Sequence, residues 1–170
     1  LEKTGNELRM ASWPVKSLLP FFSGTIGSKG MGKSPYNLFS TSQPSVIPCR
    51  LNVSALKHSV SLRFANDAGD VLLIGYDEKS NQYYIDRSKS GNTTFHADFP
   101  LRSFAPRFSL SDTVQLSVVV DKSSVELFGD NGLTVMTAIF FPSRPFTKAE
   151  LISDEPVKVK QVERTYLGKR

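Results

Sequence analysis

Ser117–Thr137, reading SVVVDKSSVELFGDNGLTVMT, decides the fold. Val118, Val119 and Val120 lead into Asp121-Lys122-Ser123-Ser124. Val125, Leu127 and Phe128 lead into Gly129-Asp130-Asn131-Gly132, and Leu133, Val135 and Met136 carry the chain back. Apolar, β-branched runs closed by Asp, Asn, Gly and Ser clusters predict antiparallel strands joined by tight turns. Glu126 stands between Val125 and Leu127 and so faces away from both, sharing its side of the strand with Phe128.

The same rhythm runs through most of the chain. Val60, Leu62 and Phe64 alternate with Ser61 and Arg63, the pattern of a half-buried strand. Asn66–Asp70, Asp77–Asn81 and Ser88–Asn92 read as turns between the strands Val71–Tyr76, Gln82–Arg87 and Phe95–Phe99. Further strands are expected at 51–53, 114–120, 125–128, 133–141, 149–152 and 157–162. Strands so closely spaced, with no helical period, predict an all-β fold: an antiparallel β-sandwich, a concanavalin-like jelly roll. Residues 23–35 are rich in Gly, Ser and Lys and read as a loop.

A chain of 170 residues with 39% hydrophobic and 22% charged residues fits one globular domain. Its apolar runs are too short to span a membrane as a helix. The net charge of +5 is scattered along the chain, which argues against a nucleic-acid partner. Cys49 is alone, and His58 and His96 stand far apart without other ligands at metal spacing, so neither a metal nor another cofactor is expected. Gly27-Ser28-Lys29-Gly30-Met31-Gly32-Lys33-Ser34 satisfies the letters of a phosphate-binding P-loop. Pro35 follows at once and no strand–helix context surrounds it, so a flexible loop is the better account. No G-x-S-x-G elbow is present. Asn52-Val53-Ser54 and Asn92-Thr93-Thr94 fit the N-glycosylation pattern, which matters only in a eukaryotic secretory setting. The chain begins with Leu and no leader-like apolar stretch follows, so it reads as a fragment or a processed chain.

Two places carry candidate chemistry. Tyr83-Tyr84-Ile85-Asp86-Arg87-Ser88 ends a hairpin on an adjacent acid and base. In a regular strand Asp86 and Arg87 point to opposite faces, whereas at a strand end both can reach one shallow site. A carboxylate that accepts from sugar hydroxyls, a guanidinium that donates to sugar oxygens and a tyrosine ring beside them make a polyol site. The competing reading is a surface ion pair of little energetic weight. Glu126 is either a carboxylate on a binding face or a solvated strand residue. Asp86 and Glu126 together have the composition of a glycosidase pair, but the sequence does not fix their separation.

Three segments then resemble one family. Val119–Gly132, with Thr137 and Phe141-Pro142, is similar to the C-terminal β-sandwich of glycoside hydrolase family 32, which includes invertases, levanases and inulinases. Tyr84-Ile85-Asp86-Arg87-Ser88 with Ser90-Gly91, and Leu8-Arg9-Met10 with Pro14–Leu18, add to the likeness. The resemblance implies 1–22 as the end of a propeller domain and its linker and 45–170 as the sandwich; between them 23–44 is expected as a Gly/Ser/Lys-rich loop and lead-in segment, whose Gly27–Ser34 stretch departs from the family's short linker. The resemblance also implies that the catalytic residues lie on a propeller of the same polypeptide, in Asn-Asp-Pro, Arg-Asp-Pro and Glu-Cys motifs that this chain lacks. The expected role is a non-catalytic accessory domain of an extracellular or periplasmic fructan-degrading enzyme acting on levan, inulin or sucrose. By the same resemblance Asp86, Arg87, Glu126 and Tyr84 are the candidate fructan-binding residues. The alternatives are a free-standing lectin-like module and an independent enzyme using Asp86 and Glu126.

Overall fold

The computed structural model describes residues 1–15, 22–32, 34–40, 45–153 and 157–167, with residues 22–32, 39–40 and 157–167 described by their backbone. Among the described residues fourteen strands follow one another: β1 (Glu2–Thr4), β2 (Glu7–Arg9), β3 (Phe22–Gly32), β4 (Tyr36–Ser40), β5 (Cys49–Leu56), β6 (Val60–Ala65), β7 (Val71–Asp77), β8 (Gln82–Lys89), β9 (Ser103–Pro106), β10 (Thr113–Val120), β11 (Ser124–Gly129), β12 (Thr134–Ile139), β13 (Lys148–Ser153) and β14 (Val157–Leu167). No helix occurs among the described residues.

Strands β1 and β2 form a small hairpin. The others build two six-stranded antiparallel sheets, ordered β12-β11-β10-β5-β14-β3 and β4-β13-β6-β7-β8-β9. The opening stretch forms the β10–β11–β12 meander, with Val119 opposite Glu126 and Glu126 opposite Thr137. The sheets stack face to face, as a sandwich does, with inner faces about 10 Å apart. Period-two alternation sends Leu51, Val53, Leu116, Val118, Val125 and Leu127 inward from the first sheet. Leu62, Phe64, Leu72, Ile74, Tyr76 and Ile85 meet them from the second. Burying each large apolar side chain contributes roughly 1.5–3 kcal/mol as an upper bound.

Three expectations need correction. The Gly/Ser/Lys-rich stretch is not a loop: the backbone of Phe22–Gly32 is an edge strand paired with β14. The P-loop letters therefore lie mostly along an extended strand, and their small side chains had hidden its β character from a pattern that counts apolar residues. Phe95–Phe99 is not a strand but a run of turns, its aromatic residues packing on one another and on Phe141 rather than across a sheet. The strand Ser103–Pro106, absent from the sequence reading, takes the edge beside β8.

Candidate functional site

The outer face of the second sheet is built in cross-strand rows. Glu150 lies opposite Arg63, Arg63 opposite Leu73, and Leu73 opposite Asp86. The next row runs Ile152, Ser61, Gly75, Tyr84 and Phe104. Over the first of these rows and the Val71–Lys89 pair beside it lies a half-open groove of about 410 Å³, with Leu73 and Ile152 among its apolar lining and Arg63, Asp86, Ser88 and Arg102 among its polar lining.

Asp86 is the best-held polar group there, its side chain 13% exposed. The Arg102 Nε and Nη2 both donate to its Oδ2, at 2.9 and 2.6 Å, and the Ser88 amide donates to its Oδ1 at 3.0 Å. Burial pulls the Asp86 pKa upward, but the hydrogen bonds from Ser88 and Arg102 outweigh it and the carboxyl sits below its ordinary value. Arg102 also lies over the Tyr84 ring, its guanidinium carbon 4.7 Å from the ring centre. The Tyr84 hydroxyl reaches across β7 to the Ser61 hydroxyl. That path exists because residue 75 is glycine: a Cβ there would stand 2.9 Å from the Tyr84 hydroxyl oxygen and 2.5 Å from the Val60 carbonyl oxygen. Burial raises the Tyr84 pKa, and the Ser61 bond only partly offsets this.

Tyr84 and Asp86 thus share one face, but Arg87 does not. The β7–β8 ladder steps from Leu73–Asp86 to Val71–Lys89, placing Leu72 opposite both Arg87 and Ser88. Period-two alternation turns Arg87 to the face opposite Asp86 and Ser88, away from the groove. Its Nε donates to the Phe99 carbonyl at 2.8 Å, its Nη1 donates to the Ile139 carbonyl at 3.1 Å, and its guanidinium lies 4.0 Å from the Phe99 ring centre. Arg87 therefore ties β8 to the end of β12 in the opposite sheet. Glu126 points outward from β11 in the first sheet, on the far side of the sandwich from Asp86. Two carboxylates turned away from each other across two stacked sheets cannot flank one glycosidic bond, which needs them roughly 5–10 Å apart. Asp86 and Glu126 are not a glycosidase pair.

The sequence reading missed Arg102 and Arg63. Arg102 lies in a segment without alternation or turn motif, sixteen residues from Asp86, and only the pairing of β9 with β8 brings them together. His58 and His96 are surface residues beside Glu78 and Asp98. Of the two glycosylation patterns, Asn92 is exposed in a turn, whereas Asn52 lies on the central strand β5 and accepts a hydrogen bond from Ser117.

Residues 26–165 match the family described as "Glycosyl hydrolases family 32 C terminal". The chain belongs to that family. This family 32 C-terminal domain is 32% identical over 142 residues to an extracellular exo-inulinase of Aspergillus niger, covering 82% of this chain and 26% of that protein. It is 40% identical over 91 residues to a levanase of Bacillus subtilis, covering 52% of this chain and 13% of the levanase. Among solved structures, the exo-inulinase of Aspergillus awamori superposes with a TM-score of 0.78 at 23% identity, over 97% of this chain and 34% of that one. A β-fructofuranosidase of Schwanniomyces occidentalis does so at 0.74 and 20% identity, over 99% of this chain and 38% of the other. These structural likenesses carry the sandwich fold. The family 32 domain spans about a quarter or less of the length of these curated relatives.

Proposed function

We propose that this chain is the non-catalytic sandwich of a secreted β-fructan-degrading hydrolase, that it supports a catalytic propeller on the same polypeptide, and that it holds fructan in the groove beside Asp86. The observation that carries the binding role is the Asp86–Arg102 pair on the groove wall. Asp86 is an ionised acceptor, fixed by three hydrogen bonds. Arg102 spends Nε and Nη2 on it and keeps Nη1 for a ligand oxygen. A pair of neighbouring sugar hydroxyls can donate to the one and accept from the other, while ring carbons rest on the apolar residues between. Propeller support and secretion rest on family membership and on the inulinase and levanase relatives.

Calorimetric titration with inulin and levan tests the binding role. Asp86→Asn should weaken binding by about tenfold or more, the loss expected of one charge-assisted hydrogen bond, while Arg87→Ala should leave affinity unchanged in the folded protein. No heat with either polymer removes the binding role and leaves the supporting one. Fructose released from levan by this chain alone would overturn its non-catalytic assignment.

A further inference from the structure

We propose that the outer face of the first sheet carries a second carbohydrate site, for a neutral glycan, built around Trp13. This cleft of about 260 Å³ is lined by Trp13, Phe128, Arg50, Asn52, Gln115 and Ser117 among others. It lies on the opposite side of the sandwich from the Asp86 groove and does not depend on it.

The platform is fixed from below and along its chain. Phe128 points outward from β11 yet is only 6% exposed, because Trp13 stacks on it with the rings 13° from parallel. The Ser12 amide donates to the Gly132 carbonyl at 2.9 Å. Residue 132 must be glycine for the chain to come that close: φ is +77° and a Cβ would stand 1.9 Å from the Ser12 carbonyl oxygen. Trp13 keeps 48% of its surface in solvent. An indole held flat, with part of its surface open, offers a stacking partner for the C–H face of a sugar ring.

The polar lining suits hydroxyl groups. Asn52 and Ser117 stand opposite each other on β5 and β10, the serine hydroxyl donating to the Asn52 Oδ1 at 2.7 Å. Gln115 lies one step along the same face. Amide and hydroxyl side chains both donate and accept, as sugar hydroxyls do. Arg50 adds an unmet demand: its Nη2 reaches Ser117 at a long 3.4 Å, and its buried Nε has no partner. A buried donor without an acceptor costs about 1–3 kcal/mol, so a ligand oxygen or water here relieves a standing penalty. Among the described residues that line the cleft none is a carboxylate. The cleft is smaller than the roughly 300–1,000 Å³ of enclosed small-molecule pockets, so a short stretch of glycan lying across it fits better than an engulfed ligand.

Trp13 is the single tryptophan of the chain, so its emission reads this cleft alone. Titrated with 1-kestose or maltotriose through the millimolar range, the protein should show a saturable change in emission. Gln115→Ala and Arg50→Gln should each weaken it by about tenfold, while Asp86→Asn should leave it unchanged. Trp13→Ala, followed by calorimetry, should lose the site while circular dichroism reports an intact fold. The proposal fails if neither saccharide gives a saturable change, if Gln115→Ala and Arg50→Gln bind as the parent does, or if inorganic phosphate produces the same response.

Discussion

Replacing Asp130 by Asn removes one charge and almost no volume, and it should be among the most damaging single changes in this domain. Asp130 follows β11 of the first sheet, and Arg107 follows β9 of the second. Their side chains are 5% and 0% exposed, and Arg107 Nε meets Asp130 Oδ2 at 2.6 Å. Arg107 Nη2 also donates to the Ser111 and Thr113 carbonyls, at 2.9 and 3.0 Å, and Asp130 Oδ1 accepts from the Gln115 amide at 3.2 Å. The pair therefore ties the two sheets together at one end, where Tyr83 packs against Gly129 so closely that a Cβ would lie 2.6 Å from its ring. A buried pair is of uncertain net value, but breaking one by neutralising a single partner leaves an uncompensated charge and costs about 3–5 kcal/mol. That is a large share of the roughly 5–15 kcal/mol by which a domain is stable. Asparagine tolerates the left-handed backbone at this position, where φ is +44°, so the loss reports charge rather than strain. Guanidinium-chloride unfolding followed by far-ultraviolet circular dichroism measures it. Arg107→Met combined with Asp130→Asn should recover about 2 kcal/mol relative to the sum of the single changes. A loss below about 1 kcal/mol for Asp130→Asn, or strict additivity in the double variant, refutes the reasoning.

Gly91 sits at φ +110°, and a Cβ there would lie 2.2 Å from the Phe141 carbonyl oxygen, so Gly91→Ala should cost about 2–5 kcal/mol from backbone strain plus overpacking; an unchanged denaturation midpoint would show that the 90–92 turn can move. Acid should destabilise the fold through Asp70, Asp77 and Asp86, whose carboxyls all sit below the ordinary value of 3.8. In Asp70 and Asp86 burial pulls upward and hydrogen bonds outweigh it, whereas in Asp77 the Ser80 hydroxyl is the largest cause. A lowered folded-state pKa contributes stability that is complete above the unfolded value and lost as pH falls through the folded one. Unfolding midpoints should therefore hold from neutral pH down to about 5 and drop below about 4, with a shallower drop in Asp86→Asn; an identical slope in that variant would remove Asp86 from the set.

The sandwich was legible because its central strands obey one rule. Val118, Val120, Val125 and Leu127 fall at every second position of β-branched and apolar runs, and Asp121–Ser124 and Gly129–Gly132 close the turns. The edge strand β12 was expected, but the edges β3, β4 and β9 were not, because such strands have less to bury. Phe22–Gly32 carries glycines and serines, and Ser103–Pro106 is short and mostly exposed. The candidate site was half legible. Asp86 and Tyr84 share one face, as period-two alternation expects. Arg87 was placed beside Asp86 by relaxing that alternation at a strand end, but β8 runs on to Lys89 and the alternation holds through Ser88, turning Arg87 to the other face. Arg102 was missed because long-range strand pairing alone gives it a partner.

The segments that betray the family are mostly architectural. In Asp86-Arg87-Ser88 with Ser90-Gly91, only Asp86 and Ser88 line the groove. Arg87 bridges to β12, the Ser90 hydroxyl donates to the Arg87 carbonyl, and Gly91 admits the Phe141 carbonyl. In Gly129–Gly132, Gly129 makes room for Tyr83, Asp130 neutralises Arg107, and Gly132 receives Ser12. These residues solve one recurring problem, the closing of two stacked sheets at their ends. Any protein with this sandwich needs some solution to it, whatever it binds. The residues that would choose a ligand, Arg102 and Arg63 on one face and Arg50, Gln115 and Trp13 on the other, sit where the sheet tolerates many side chains. A motif match in this family therefore transfers the fold with confidence earned from steric necessity, while ligand preference has to be read from the outer faces of each member.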